Sequence, residues 1–260
     1  MGFAGFLFKL FKHCQGLFSR VIQQSGEWTH PGWRTLTIDE ALDIGRYSAE
    51  ALDCETDDEL VTCLQSKSVR DLLDLMKDYY VNPPAAVIDG LVIPKLPHDL
   101  VAEGEVNAQQ VIVGANEEEG LLTTNIFLSD PAEYEDYQQN WEYLGPMALL
   151  GRRSSDWKND ITEQDVTDAT KIMEHYIGSL DNFNSEHFQN ITNMMTDQYW
   201  YSSHTYAQML AATGTTVYQY MFTYRGSFIT SVLIKDQSLG LFSTSDVVLN
   251  FTTCLHCLWR

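Results

Sequence analysis

Apolar positions along the chain follow two rhythms. Three short runs lean towards β-branched, apolar and aromatic residues: "RVIQQSG" (20–26), "QQVIVGA" (109–115) and "TTVYQYMFTYR" (215–225). Runs of that length and makeup predict buried strands. The long stretches between them repeat at helical spacing. "TIDEALDIGRYSAEAL" (37–52) opens on Thr37 with Glu40 three residues later, a capping box, and then places Leu42, Ile44, Tyr47, Ala51 and Leu52 on one face. "DDELVTCLQS", "VRDLLDLMKDYY", "DPAEYEDYQQNW", "TEQDVTDATKIMEHYIG" and "NITNMMTDQYWYSSHTYAQMLAAT" are helical by the same period. At the start, Phe3, Phe6, Phe8 and Phe11 suit one face of a helix packed on the body. Pro83, Pro84, Pro94 and Pro97 interrupt the rhythm, so "AAVIDGLVIPKLPHDLV" (85–101) is expected to be loop and short strand.

Three apolar strands separated by long helical stretches predict parallel pairing through helical crossovers, the α/β class. Three strands make a thin sheet for 260 residues. In such sheets functional groups collect beyond the carboxyl ends of the strands. Here "VIVGANEEEGLL" (111–122) sets Glu117, Glu118 and Glu119 directly after the second strand, closed by Gly120. As a charge run alone, that is a solvated acidic loop.

Its surroundings change the reading. "GLFSRVIQQSG" (16–26), "ALDCETDDELVTCLQSKS" (51–68), "AAVIDGLVIPKLP" (85–97), "VIVGANEEEGLL" and "MTDQYWYSSHTYAQMLAATGTTVYQYMFTYRG" (195–226) stand in the order of segments in the type-B carboxylesterases. The chain resembles the C-terminal half of that α/β-hydrolase family, which includes cholinesterases and juvenile-hormone esterases. The resemblance covers residues 16–253, leaving 1–15 and 254–260 outside it. It implies a truncated, mostly parallel sheet with many helices, carboxylic esters as substrates of the intact family, and no cofactor. It makes Glu119 the acid of a Ser-Glu-His triad, with Gly120 letting the backbone turn. Glu117 and Glu118 gain no role. It also pairs Cys54 with Cys63, whose spacing of nine residues suits a small oxidised loop.

The acid's partners are missing. Chain order in this fold is Ser, acid, His, yet the 260 residues contain no Gly-x-Ser-x-Gly, nor the Gly-rich oxyanion loop. In "LGLFSTSDVVLNF" (239–251), aligning Gly240 and Asp246 with the family pattern puts Ser243 where the His is expected. An alcohol is no general base near neutral pH. His256 lies thirteen residues on, in a stretch without family resemblance, and the remaining histidines fit surface or core roles. The chain alone is therefore expected to be inactive. It reads either as a portion of an esterase or as a non-catalytic, protein-binding member on the same scaffold. A freestanding binding module, supported only by 12% aromatic residues, is the third class.

Charge and cysteines narrow the remainder. A formal charge of −20 repels phosphate backbones and anionic membranes, so no nucleic-acid partner is expected. No apolar run reaches the roughly 20 residues of a membrane span. "CLHC" (254–257) lacks a fourth ligand at zinc spacing, so no metal is expected. Asn190 and Asn250 begin N-glycan acceptor triplets, as weak motifs. The parent family is largely secreted or luminal. Without a clear signal peptide, this chain as written is expected in the cytosol with its thiols reduced. A truncated sheet with an open edge at 20–26 and bare apolar faces predicts poor solubility, or a need for another polypeptide.

Overall fold

The computed structural model describes residues 15–30, 35–54, 59–75, 85–128, 131–152 and 161–223. The helix anticipated in the first fourteen residues, Ser243, Asn250, His256 and the terminal cysteines lie outside the described residues. Strands β1 (Arg20–Gln24), β4 (Gln110–Asn116) and β5 (Thr216–Phe222) form one parallel sheet in the order β1-β4-β5. These are the three runs anticipated above. Among the described strands β1 lies at an edge, with Val21 opposite Val111 and Val111 opposite Val217. A second parallel pair, β2 (Thr35–Leu36) with β3 (Ala86–Val87), was not legible, because two-residue strands carry no periodicity.

Helix α1 (Ile38–Ala51) starts as its sequence dictates. Thr37 Oγ1 accepts from the Glu40 N–H at 3.2 Å, and Glu40 Oε2 accepts from the Thr37 N–H at 2.7 Å. Helices α2 (Leu60–Ser66) and α3 (Val69–Leu75) follow. Cys54 and Cys63 are joined by a disulfide, Cα to Cα 5.9 Å, which ties the end of α1 to α2. The bridge joins the two cysteines that the resemblance paired. The region 85–101 also departs from expectation, since Pro97–Ala102 forms helix α4. Pro97 occupies the first turn, where a missing N–H costs nothing, so the residue read as a breaker is a starter.

After β4 come α5 (Leu121–Leu128), α6 (Pro131–Gln139), α7 (Trp141–Leu150), α8 (Glu163–Ile177) and α9 (Phe188–Ala212). The stretch read as one helix over 130–141 is α6 and the start of α7, parted at Asn140. α5 and α7 were missed because they are apolar on most sides and show no stripe. The 25-residue α9 unites the described core. Its first half, through Ile191, Met194 and Met195, closes a helical cluster with Trp141, Leu144, Met173 and Phe183. Its second half lays Tyr206, Ala207 and Leu210 against Val111 and Val113 of the sheet.

Among the described residues the opposite face of the sheet is open. Ile22, Ile112 and Tyr218 lie side by side in register and are all exposed, and no described element covers them. That matches the bare apolar face expected of a truncated sheet. Among the described residues no helix is long and apolar enough to cross a membrane, and no group of three or more His, Cys, Asp or Glu side chains could hold a metal.

Candidate active site

The acidic triplet divides on solvent access. Glu117 is exposed and Glu118 partly so, whereas Glu119 is 1% exposed. The difference follows from where β4 stops. Its last residue, Asn116, is fully buried, and the next four form a turn that brings Glu119 back over the strand end. There the Asn116 N–H donates to Glu119 Oε1 at 2.9 Å and Asn116 Nδ2 at 3.1 Å.

A third donor comes from just past the neighbouring strand. Ser25 Oγ donates to the same Oε1, across 94 positions of sequence. Ser25 directly follows β1, its own N–H donates to Gly114 O at 2.9 Å, and its φ is +52°. A non-glycine residue in left-handed backbone is sparsely populated and costs free energy, and such outliers cluster at functional sites. The turn aims the hydroxyl at Glu119. Local pattern marks Ser25 only as the end of a strand; its Ser-Gly pair just past that strand is the available signal.

Gly120 holds the site against α9. Its N–H donates to Thr196 Oγ1 at 2.9 Å, and a Cβ built on it would lie 2.4 Å from Thr192 O and 2.5 Å from Thr196 N. The sequence reading assigned this glycine to backbone freedom. The structure assigns it to close approach of a helix backbone, a different reason for the same residue.

Around Glu119 is a buried polar cluster. Glu27 is fully buried two residues beyond Ser25. Burial pushes the Tyr199 phenol above its ordinary range, with the Glu119 and Glu27 carboxylates adding to the rise. Burial does the same to Tyr206, again helped by Glu27. The His30 ring packs on Tyr199 with centroids 4.1 Å apart, and burial lowers its pKa to about 4. As a whole residue His30 is partly buried, and its Nε2 is shut off from solvent. His98 meets Trp28 edge-on at 5.8 Å, and His175 meets Tyr176 edge-on at 5.0 Å. His204 bonds near Gln208 and Gln219 on the exposed side of α9.

His30 gives the fold a pH dependence. Its folded pKa, about 4, lies below its ordinary 6.5. Its neutral form therefore contributes fully above pH 6.5, and the contribution is lost as pH falls from 6.5 through 4. The full loss is on the order of 3 kcal/mol. Urea unfolding across this window should show that loss reduced in His30→Phe, which keeps a ring against Tyr199. An identical pH profile in the variant would assign the loss to other groups.

Asn190, the described glycan acceptor position, lies exposed in the first turn of α9 and donates its amide to Tyr176 O at 2.8 Å. Ile191 and Thr192 of the same triplet are buried.

Three parallel strands with a buried carboxylate just past the central one, flanked by helices, define an α/β-hydrolase-type architecture. The Carboxylesterase family model matches residues 6–257, and the chain belongs to that family. Over 128 residues it is 34% identical to neuroligin-2 of Rattus norvegicus, covering 48% of this chain and 14% of that protein. Over 113 residues it is 34% identical to acetylcholinesterase of Electrophorus electricus, covering 40% of this chain and 17% of the enzyme. A longer match, 21% over 230 residues, is to acetylcholinesterase of Leptinotarsa decemlineata, covering 82% of this chain and 34% of the enzyme. The chain thus spans between about one seventh and one third of these relatives.

Proposed function

We propose that the chain is the acid-bearing portion of a carboxylesterase, with Glu119 as the triad acid, and that by itself it does not hydrolyse esters. The observation carrying this reading is the fixing of one buried carboxylate by donors at the ends of two adjacent strands. A triad acid must keep its orientation while it accepts an imidazole N–H and stabilises the imidazolium. A solvated loop carboxylate needs no such set. The accompanying serine elbow is absent from the 260 residues, and Ser243 stands at the expected position of the base. Without nucleophile and base, several orders of magnitude in rate are lost. Carboxylic esters are then substrates of an assembled site, not of this chain.

The disulfide between Cys54 and Cys63 supports placement in an oxidising compartment rather than the cytosol. A second reading is a non-catalytic member that binds protein partners. Its support is that identity to neuroligin-2 equals identity to the electric-eel acetylcholinesterase, 34% in each.

The purified chain, given a short-chain aryl ester, should show no hydrolysis above the buffer rate. Turnover that persists through purification and vanishes in Glu119→Gln would overturn the inactive assignment. Retention of the Glu119 contacts with no turnover fits both readings, and saturable capture of a defined protein partner would favour the second.

A further inference from the structure

We propose that the cleft walled by Trp28, His30, His98 and Tyr201 binds a small, neutral, planar aromatic molecule. The cleft, about 450 Å³, lies where the chain continues past β1, between that loop, the start of α4, the end of α7 and the middle of α9. The volume is within the roughly 300–1,000 Å³ of small-molecule sites, and crevices beyond strand carboxyl ends are where open α/β sheets bind ligands. It does not rest on the role proposed for Glu119, and it stands whether or not the chain takes part in ester hydrolysis.

The ligand class follows from the lining. Among the described residues that line it there is no Asp, Glu, Lys or Arg. A charged ligand would lose water without gaining a counter-charge. The protein's formal charge of −20 further opposes anions. Four of the walls are rings, and ring pairs offset or edge-on add roughly 0.5–1.5 kcal/mol beyond the area they bury. Two of those rings are imidazoles, and Thr35 and Thr205 add hydroxyls, so a phenol or indole would find hydrogen-bond partners as well as faces.

The walls are also held in place before any ligand arrives. Thr29 Oγ1 donates to Ser202 O at 2.9 Å, pinning the loop to α9. Trp28 stands edge-on to both Tyr206, at 6.5 Å, and His98. His30 is braced on Tyr199, whose phenol feels the charge of Glu119. A preformed site loses little ordering entropy on binding.

The test is calorimetric titration of the purified full chain with p-cresol and indole, beside cyclohexanol, benzoate and benzylamine as probes. Saturable 1:1 binding of the first two, stronger than of the other three, is expected. Tyr201 is 75% exposed and His98 is exposed, so Tyr201→Ala and His98→Ala should fold normally. Each should weaken p-cresol roughly five-fold or more. Tyr218→Ala, on the open sheet face, should leave it unchanged. Absence of saturable binding, equal binding of the charged probes, or equal weakening by Tyr218→Ala would each overturn the proposal. Normal far-UV spectra of the variants make any of these outcomes decisive.

Discussion

Gly120→Ala should lower the unfolding free energy by about 4 kcal/mol, at or beyond the upper end of overpacking effects. The new methyl would meet Thr192 O at 2.4 Å, Thr196 N at 2.5 Å and Met195 Cβ at 2.6 Å. The first two are backbone of α9, and no rotamer change can move them aside. Relief requires the turn to shift from the helix. That would stretch the Gly120 N–H bond to Thr196 and drag Glu119, the preceding residue, off its donors. Gly45→Ala is the matched control. Inside α1, its nearest contact would be an ordinary 3.7 Å to Leu60 Cδ2, so alanine's helix propensity should stabilise by roughly 0.5–1 kcal/mol. Urea midpoints at pH 7 measure both. A loss under about 1 kcal/mol for Gly120→Ala would mean the turn and helix separate easily, and the close approach would not matter to stability.

Much of the fold was legible because its signals are local. β1, β4 and β5 are short apolar runs whose neighbours break them, and their pairing is parallel as the intervening helices require. α1 announced itself through Thr37 and Glu40. What escaped lacked a periodic signal. α7 buries Trp141, Leu144, Met147 and Leu149 in a helical cluster, so its sequence is apolar on most sides and carries Pro146 within it. α4 hid behind Pro97, which reads as a breaker unless its place in the first turn is known. Pairings between distant segments cannot be read from local pattern at all. Ser25 and Glu119 are 94 positions apart, and only the adjacency of β1 and β4 brings them together.

The site was legible in part. Glu119 was separated from Glu117 and Glu118 by resemblance alone, and the solvent access of the three now follows that division. Glu27 gave no signal in the sequence. One carboxylate beyond a strand normally reads as loop, yet it is fully buried between Tyr199 and Tyr206 in electrostatic reach of both. His30, which the sequence leaves among histidines of surface or core role, packs on Tyr199 of that cluster and lines the aromatic cleft.

Replacing Glu119 itself tests whether the site is built. Glu119→Ala should cost about 3–5 kcal/mol, because it strands three donors in a dry place. Asn116 N–H, Asn116 Nδ2 and Ser25 Oγ all point at one oxygen, and Asn116 and Ser25 are themselves buried. Ser25 would also keep its left-handed backbone without the side-chain bond to Glu119. Glu119→Gln retains an acceptor of the same shape but exchanges charge-assisted bonds for neutral ones. Its loss should be smaller, on the order of 1–2 kcal/mol. The ordering matters more than either value, since a solvated carboxylate would give near-zero change for both. Denaturant unfolding at pH 7 in low and high salt separates the cases, because screening erases surface electrostatics and spares buried contacts. Equal, salt-sensitive losses below about 0.5 kcal/mol would return Glu119 to the loop with Glu117. A large loss in alanine, a smaller one in glutamine and little response to salt would identify a carboxylate that the fold is constructed to hold.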